Sequence, residues 1–180
     1  MHRPEGPRVT GVRSTPAGED VGAEFGPALR FLRALWELNH SLESASRAMK
    51  RRLGVSGPER LFIRVVGLRP GLTPAAVAEI LRVDRSSVTP VLKRLEQRRL
   101  VYRERDPLDR RSFHLSLTAS GSRIDSMDTG TIEAAVAQII AASPRREVET
   151  AAATLVGVAR QLSARTAQAG KGRARRSTRR

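Results

Sequence analysis

The chain has 180 residues, a net charge of +15 and no cysteine, and 3% of its residues are aromatic. The absence of cysteine excludes disulfides, zinc fingers and thiol chemistry, and so few aromatic residues argue against a base-stacking platform for single strands. The excess of basic residues predicts a polyanionic partner, nucleic acid before membrane.

The composition bears on location and cofactors as well. No apolar run is long enough to cross a bilayer, and the N-terminus lacks the apolar core of a signal peptide, so we expect a cytoplasmic, nucleoid-associated protein. The three histidines, His2, His40 and His114, stand in no metal-ligand spacing, so neither a metal nor another cofactor is expected. Thirty Arg against three Lys, with many alanines, indicate a bacterial, G+C-rich source.

The surplus positive charge lies in two segments. Residues 82–111 hold ten Arg and Lys against five acids, and residues 165–180 hold seven against none. A charge run is most often a solvated face of a protein. Here the first segment coincides with the DNA-reading pattern described below and the second with a tail, which favours binding to nucleic acid.

The first part of the chain predicts an arm followed by a long helix. Residues 1–24 contain many prolines and glycines without apolar periodicity, so we expect them to be disordered. Pro27 begins a helix that ends at Gly54 and carries an apolar stripe through Trp36. This helix spans roughly 40 Å, more than a compact three-helix module covers. A second subunit is the simplest cover for the stripe, and a plain core helix is the alternative.

Two short helices come next. Ser56 and Glu59 form a capping box at the start of the second helix, and Thr73-Pro74 starts the third. Apolar residues predict the inner faces of both helices: Leu61, Phe62, Val65, Val66, Val77, Ile80 and Leu81. The third helix turns directly into a fourth, which is typical of a helix-turn-helix.

The fourth helix has an apolar and a polar face. Three apolar residues share one face at i, i+4 and i+7: Val88, Leu92 and Leu95. The polar residues point elsewhere: Ser86, Ser87, Thr89, Lys93, Arg94 and Gln97. With Asp84 as the N-cap, Pro90 removes the hydrogen bond to Ser86, whereas with Ser86 as the cap no intrahelical bond is lost. In both cases we predict that the helix continues through Pro90.

A β-hairpin with a charged tip follows this helix. Two alternating runs, Val101–Arg105 and Phe113–Leu117, are joined by residues 106–111. A polar-faced helix followed by such a hairpin is the layout of a winged helix-turn-helix, with the helix in a major groove and the hairpin at the backbone or minor groove. We therefore predict a mostly α fold with a small β-wing.

The remainder of the chain predicts two more helices and a tail. Residues 118–142 have helical apolar spacing, weakened in the middle by Gly130. Ser143-Pro144 opens a last, alanine-rich helix. Residues 166–180 are basic and almost without apolar side chains, so we expect a disordered basic tail. The apolar faces of the two helices have no obvious cover within one chain.

The hairpin and the fourth helix resemble those of MarR-type transcriptional regulators. The wing signature of that family is matched at five positions: Asp109, Arg111, Leu115, Leu117 and Thr118. Residues 87–96 are similar to the recognition helix of the organic-hydroperoxide-sensing branch, but without any cysteine the chain has no means of thiol-based peroxide sensing. The resemblance covers residues 25–165.

This resemblance implies an architecture and a ligand site. The DNA-binding lobe would be residues 56–118, flanked by dimerisation helices at residues 25–54 and 119–165. In the family, small and often phenolic molecules bind between the dimer helices and the DNA-binding lobes. The residues that match such a site are Trp36, His40, Leu61 and Arg64.

We therefore expect a homodimeric regulator of transcription that binds an inverted-repeat operator in double-stranded DNA, as a repressor responsive to a small molecule. The candidate DNA contacts are Arg85, Ser86, Ser87, Thr89, Pro90, Lys93, Arg94, Arg105, Asp109, Arg110 and Arg111. Arg111 would enter the minor groove and Asp109 would orient it. Taken alone, those two residues are better explained as a surface ion pair worth about 0–1 kcal/mol, and it is the whole motif that favours the DNA role.

The alternative function is that of a nucleoid-type architectural protein, which binds DNA mainly through charge. The ratio of specific to non-specific affinity separates the two, because a regulator shows roughly 10³ or more. An enzyme is not expected, since the sequence contains no nucleophile with a base, no phosphate loop and no paired carboxylates in an apolar setting.

Overall fold

The computed structural model describes residues 26–105 and 113–177. It contains, in chain order, helices α1 (Pro27–Leu53), α2 (Gly57–Leu68), α3 (Pro74–Leu81) and α4 (Arg85–Gln97), strands β1 (Val101–Arg105) and β2 (Phe113–Leu117), and helices α5 (Ala119–Asp125), α6 (Ile132–Ala142) and α7 (Arg145–Ser177). The two strands pair as an antiparallel hairpin. The predicted mostly α fold with a small wing is confirmed.

The contacts divide the chain into two units, the first ending at Ser41 and the second beginning at Leu42. The described part of the first unit is the first half of α1, and several of its large apolar side chains are exposed: Leu29, Phe31, Leu32, Trp36 and Leu38. The end of α1 at Leu53 agrees with the prediction, because Gly54 follows with a φ of +75°, which suits glycine.

The second unit holds a core built from α2, α3, α4, the hairpin and α5. Its most deeply buried large side chains are Phe62, Ile63, Leu92, Leu95 and Leu115. The predicted inner faces are wrong at two positions, since Leu61 is 47% and Ile80 43% exposed. On α2 the buried stripe runs through Glu59, Phe62, Ile63 and Val66, a helical spacing that leaves Leu61 on the outer side.

The hairpin is anchored to this core at the middle of β2. Leu115 is fully buried and pairs with Arg103 on one side. On its other side Leu115 accepts from Gly71 N at 3.0 Å, and its own N–H donates to Leu72 O at 2.9 Å. The wing is therefore attached by backbone hydrogen bonds to the loop between α2 and α3, which fixes the base of the hairpin relative to the helix-turn-helix.

The single helix expected over residues 118–142 is wrong, because the structure has two. α5 ends at Asp125, and α6 begins after Thr131, whose hydroxyl oxygen accepts from Ala134 N at 3.1 Å. Between them Gly130 adopts a φ of +65°, and a Cβ at that position would overlap the guanidinium of Arg52. The glycine that weakens the pattern is thus the point at which the chain turns.

The predicted disorder from residue 166 also differs from the structure, in which α7 continues to Ser177. Alanine, arginine, lysine and glutamine have high helix propensity and make up most of this stretch, so the backbone propensity favours a helix even without an apolar stripe. The predicted N-terminal arm at residues 1–24 lies outside the described residues.

Helices α6 and α7 leave apolar side chains exposed within the second unit. No residue of α6 is buried, and Ile139 is 69% exposed. Other exposed apolar residues on these helices are Val136, Ile140, Leu155 and Leu162. No helix within residues 26–105 and 113–177 is long and apolar enough to cross a membrane.

Candidate nucleic-acid interface

The turn between α3 and α4 sets the direction of α4. Arg82 ends α3 in the left-handed region with a φ of 53°, and Val83 N then donates to Ala78 O at 3.0 Å. Asp84 occupies the N-cap position of α4 with an extended backbone, which decides between the two caps that the sequence left open. α3 and α4 are therefore joined by the short turn expected of a helix-turn-helix.

Helix α4 continues through Pro90, as predicted. Because proline has no amide hydrogen, the Ser86 carbonyl loses its intrahelical donor. One residue earlier, the Thr89 hydroxyl donates to Arg85 O at 3.1 Å. The first two turns of α4 therefore expose backbone and side-chain polar groups together.

The orientation of α4 is fixed by its apolar side. Val88, Leu92 and Leu95 are each at most 3% exposed and lie in the core. All seven predicted DNA contacts on α4 are exposed on the rest of the helix: Arg85, Ser86, Ser87, Thr89, Pro90, Lys93 and Arg94. The structure therefore brings these residues onto one solvent-facing surface whose position follows from the buried face.

An open cleft of about 330 Å³ adjoins this surface. Arg85 and Thr89 of α4, Thr73 at the start of α3 and Phe113 of β2 contribute to its lining. The cleft thus lies where α4, the start of α3 and the first residue of β2 meet.

The wing is described only at its base. Arg105 ends β1 opposite Phe113, and its guanidinium lies 6.0 Å from the centre of that ring. Arg103 pairs with Glu96 of α4, with Nε and Oε1 2.5 Å apart, so the strand is also tied to α4. Three predicted contacts at the tip, Asp109, Arg110 and Arg111, lie outside the described residues.

Arg94 differs from the other predicted contacts on α4, because it has an acidic partner that sequence reasoning missed. Its Nε lies 3.2 Å from Oε1 of Glu59, a residue of α2 that is 1% exposed. The same carboxylate also contacts Lys50 of α1 and Arg98 at the end of α4. The sequence identified Glu59 as a capping residue, and its Oε2 does accept from Ser56 N at 2.9 Å. Nothing in the local pattern indicated its partners on other helices.

Burial and hydrogen bonding act against each other at Glu59. Burial by itself raises the pKa of the carboxyl group, but the Ser56 N–H, Lys50 and Arg94 outweigh it and lower the pKa to about 2. The carboxylate is therefore charged throughout the neutral range.

Arg60, the next residue of α2, is a second group that the sequence did not reveal. It is 3% exposed, and its Nε lies 2.8 Å from Oε1 of Glu133 in the first turn of α6. Its two terminal nitrogens donate to the carbonyls of Ile124, Asp125 and Met127. Arg60 thus caps the C-terminal end of α5 and holds the start of α6.

The four predicted ligand-site residues are distributed over both units. Trp36 and His40 are exposed in the first unit, and Trp36 is 74% exposed. In the second unit Leu61 is exposed, and Arg64 lies 3.3 Å from Oδ1 of Asp125. Their role stays a prediction. Within the described part of the chain, no group of three or more His, Asp or Glu is placed to hold a metal ion.

The part of the chain that matches a known family contains the helices α2, α3 and α4 and the strand β1 described above. The MarR family model matches residues 53–112, from the end of α1 through the helix-turn-helix into the wing. Over these residues the chain is similar to the MarR family. Over 71 residues the chain is 35% identical to the organic hydroperoxide resistance transcriptional regulator of Bacillus subtilis, an alignment that covers 39% of this chain and 48% of that protein. The curated relatives are matched over about a third to a half of their own length.

Two solved structures extend the likeness beyond the lobe. Streptococcus pneumoniae FabT, solved in complex with DNA, is 28% identical with a TM-score of 0.58, over 76% of this chain and 97% of FabT. The PcaV transcriptional regulator from Streptomyces coelicolor, solved with its natural ligand, is 25% identical with a TM-score of 0.57, over 79% of this chain and 96% of PcaV. This chain therefore shares its fold with FabT and with PcaV, and PcaV is a transcriptional regulator.

Proposed function

We propose that this protein is a homodimeric, sequence-specific regulator of transcription that binds an inverted-repeat operator in double-stranded DNA. The observation that carries the proposal is the exposed polar surface of α4, whose direction is set by the buried Val88, Leu92 and Leu95. A rigid helix with hydroxyl and basic side chains on its free surface suits a major groove, where base edges present a donor and acceptor code.

The proposed DNA-binding residues contact different parts of the duplex. Ser86, Ser87 and Thr89 contact base edges loosely and bind phosphates, whereas Arg85 and Lys93 prefer guanine or phosphate. From the wing, Arg105 and Arg110 contact the backbone, Arg111 enters the minor groove, and Asp109 orients Arg111.

Dimerisation is supported by apolar side chains that a single chain leaves exposed. They lie on the first half of α1, at Leu29 and Leu32 among others, and on α6 and α7, at Ile139 and Leu162 among others. Burying such faces against a second copy removes apolar surface from water. A two-fold dimer would place its two recognition helices on half-sites about 34–36 Å apart.

We further propose that the protein is a repressor released from its operator by a small, phenolic molecule. The structural likeness to PcaV, whose structure contains its natural ligand, supports a ligand response. The candidate binding residues are Trp36, His40, Leu61 and Arg64. Adding simple phenolic acids should lower the affinity of the protein for its operator. An equal loss of affinity for scrambled DNA would show that the acid weakens DNA binding regardless of sequence.

Selection of bound sites from random duplex DNA tests the main proposal. The expected result is an inverted repeat that the full chain binds roughly 10³-fold or more tightly than a scrambled duplex. A footprint without two-fold symmetry would contradict the dimeric arrangement. A ratio near one at physiological salt would reject the regulator and favour an architectural protein that binds mainly through charge.

A further inference from the structure

We propose that Glu59 is a positioning residue for α4, because its carboxylate binds Arg94 and Arg98 and so acts as a clamp. The contacts with base edges are then made by Arg85, Lys93 and the hydroxyl residues between them. This inference rests on the proposed function, because it assumes that α4 meets DNA. It adds a division among the basic residues of α4 that the sequence does not reveal.

The geometry of the Glu59 cluster (Lys50, Ser56, Glu59, Arg94 and Arg98) supports the clamp. Oε2 of Glu59 lies 2.9 Å from Lys50 Nζ and 3.5 Å from an Arg98 terminal nitrogen, and Oε1 lies 3.2 Å from Arg94 Nε. The carboxylate side chain is 2% exposed, whereas its cationic partners are between 35% and 50% exposed. One buried anion therefore joins the end of α1, the start of α2 and the C-terminal half of α4.

The charges on α4 fall into two groups. Arg94 and Arg98 are spaced i, i+4, so they lie on the same side of the helix, and both contact Glu59. Arg85 and Lys93 have no acidic partner among the residues of the structure that are described, and both are exposed. An arginine held by a carboxylate offers less net charge to a phosphate than one without a partner. The surface suited to DNA is therefore the side that carries Arg85 and Lys93.

Loss of the Glu59 charge should lower the ratio of specific to non-specific DNA affinity. Lys50, Arg94 and Arg98 would lose their common partner while remaining partly exposed beside the DNA surface. Each of these three side chains that then contacts a phosphate steepens the dependence of log K on log salt by about 0.9. Because phosphate contacts carry no sequence information, affinity for scrambled DNA should rise relative to affinity for the operator.

Glu59→Gln is the informative variant, because glutamine at this position of a capping box still accepts from the Ser56 N–H. Glu79→Gln is the matched control, since Glu79 is exposed on α3, has no ion pair within the described residues and gives the same charge change. Both full-length variants are measured on the selected operator and a scrambled duplex at three salt concentrations. The expected result for Glu59→Gln is a specificity ratio at least about five-fold lower and a steeper slope on scrambled DNA, with Glu79→Gln close to wild type.

A second pair of variants is independent of how well Glu59→Gln folds. Lys93→Gln and Arg94→Gln remove one positive charge from adjacent positions of the same helix. Lys93→Gln should weaken operator binding by about ten-fold or more, and Arg94→Gln by less than about three-fold. Combining Arg94→Gln with Glu59→Gln should return part of the lost specificity, an effect that a purely structural role for Glu59 would not produce.

The outcomes separate this inference from the proposed function. A wild-type ratio near one on selected DNA would reject the regulator itself. A high wild-type ratio that Glu59→Gln leaves unchanged, in slope as well as in magnitude, would overturn the clamp. The clamp would also be overturned if Arg94→Gln lowered operator affinity more than Lys93→Gln, because Arg94 would then be a DNA contact. If Glu59→Gln does not fold, the comparison of Lys93→Gln with Arg94→Gln is by itself the test of the clamp.

Discussion

Glu59 and Arg60 are consecutive residues of α2 and are both almost fully buried, and their side chains bind residues of different helices. The Glu59 carboxylate holds Arg94 of α4 and Arg98 at its end, and the Arg60 guanidinium holds the end of α5 and Glu133 of α6. One turn of α2 therefore connects α4, which we propose faces DNA, with the helices proposed to form the dimer. The described residues leave no buried side-chain nitrogen or oxygen without a hydrogen-bond partner.

Replacing Arg60 should destabilise the fold far more than replacing its neighbour Arg64. Arg60→Met removes the guanidinium that donates to the carbonyls of Ile124, Asp125 and Met127, so we expect a loss of about 2–4 kcal/mol in the free energy of unfolding. Arg64→Met removes a half-exposed ion pair with Asp125, worth less than about 1 kcal/mol. Urea denaturation of both variants measures the difference, and equal losses would show that the Arg60 hydrogen bonds contribute little.

Glu59 should make the stability of the protein depend on acid pH. Its folded pKa of about 2 lies below the usual 4.5, so its contribution is fully present above pH 4.5 and is lost as the pH falls from 4.5 towards 2. The lowering corresponds to about 3 kcal/mol. Wild type should therefore exceed Glu59→Gln in stability by about this amount at pH 7, and the gap should narrow steadily below pH 4.5. A gap independent of pH between 7 and 3 would contradict the assignment.

Much of the winged-helix lobe followed from local pattern. The apolar spacing of Val88, Leu92 and Leu95, the caps at Ser56 and Thr73 and the two alternating strands each specify their own element within a few residues. The break between α5 and α6 did not, because it depends on Gly130 adopting a positive φ where Arg52 occupies the space of a side chain. The extension of α7 to Ser177 was missed for a different reason, since helix propensity there acts without an apolar stripe.

The candidate site was predictable only in part. An exposed polar face of α4 can be read from its periodicity, and the likeness to the MarR wing supplies the tip residues. The partner of Arg94 lies 35 positions earlier in the chain, so no local pattern reports it. A glutamate at the third position of a helix indicates a cap, and only the fold reveals that the same carboxylate is buried against α4.

A charged residue in place of Ile139 should separate the subunits without unfolding them. Ile139 is 69% exposed on α6 in the single chain, so Ile139→Glu removes little packing within the subunit but places a charge in the proposed apolar interface. Sedimentation should give twice the 19.7 kDa chain mass for wild type and the monomer mass for the variant at micromolar concentration. Ile80→Glu, at a half-exposed position on α3, is the control and should remain dimeric. Wild type sedimenting as a monomer would reject the dimer.

The last prediction separates the wing from the basic C-terminal segment, which are both rich in arginine. Strand β1 is buried at Val101 and β2 at Leu115, so the hairpin that carries Arg111 has a fixed base. We expect Arg111→Ala to weaken operator binding by roughly 1–3 kcal/mol and scrambled DNA less, because insertion into a minor groove depends on local shape.

Deleting residues 166–180 removes six basic residues per subunit and no acidic one. We expect these basic residues to neutralise phosphates without contacting base edges. Every phosphate that the shortened chain no longer neutralises flattens the log K against log salt slope by about 0.9, and affinity for operator and scrambled duplex should fall together. Both variants are measured on both duplexes at three salt concentrations. A deletion that collapses the specificity ratio, beside an Arg111→Ala variant that preserves it, would reverse these two roles and favour binding through charge alone.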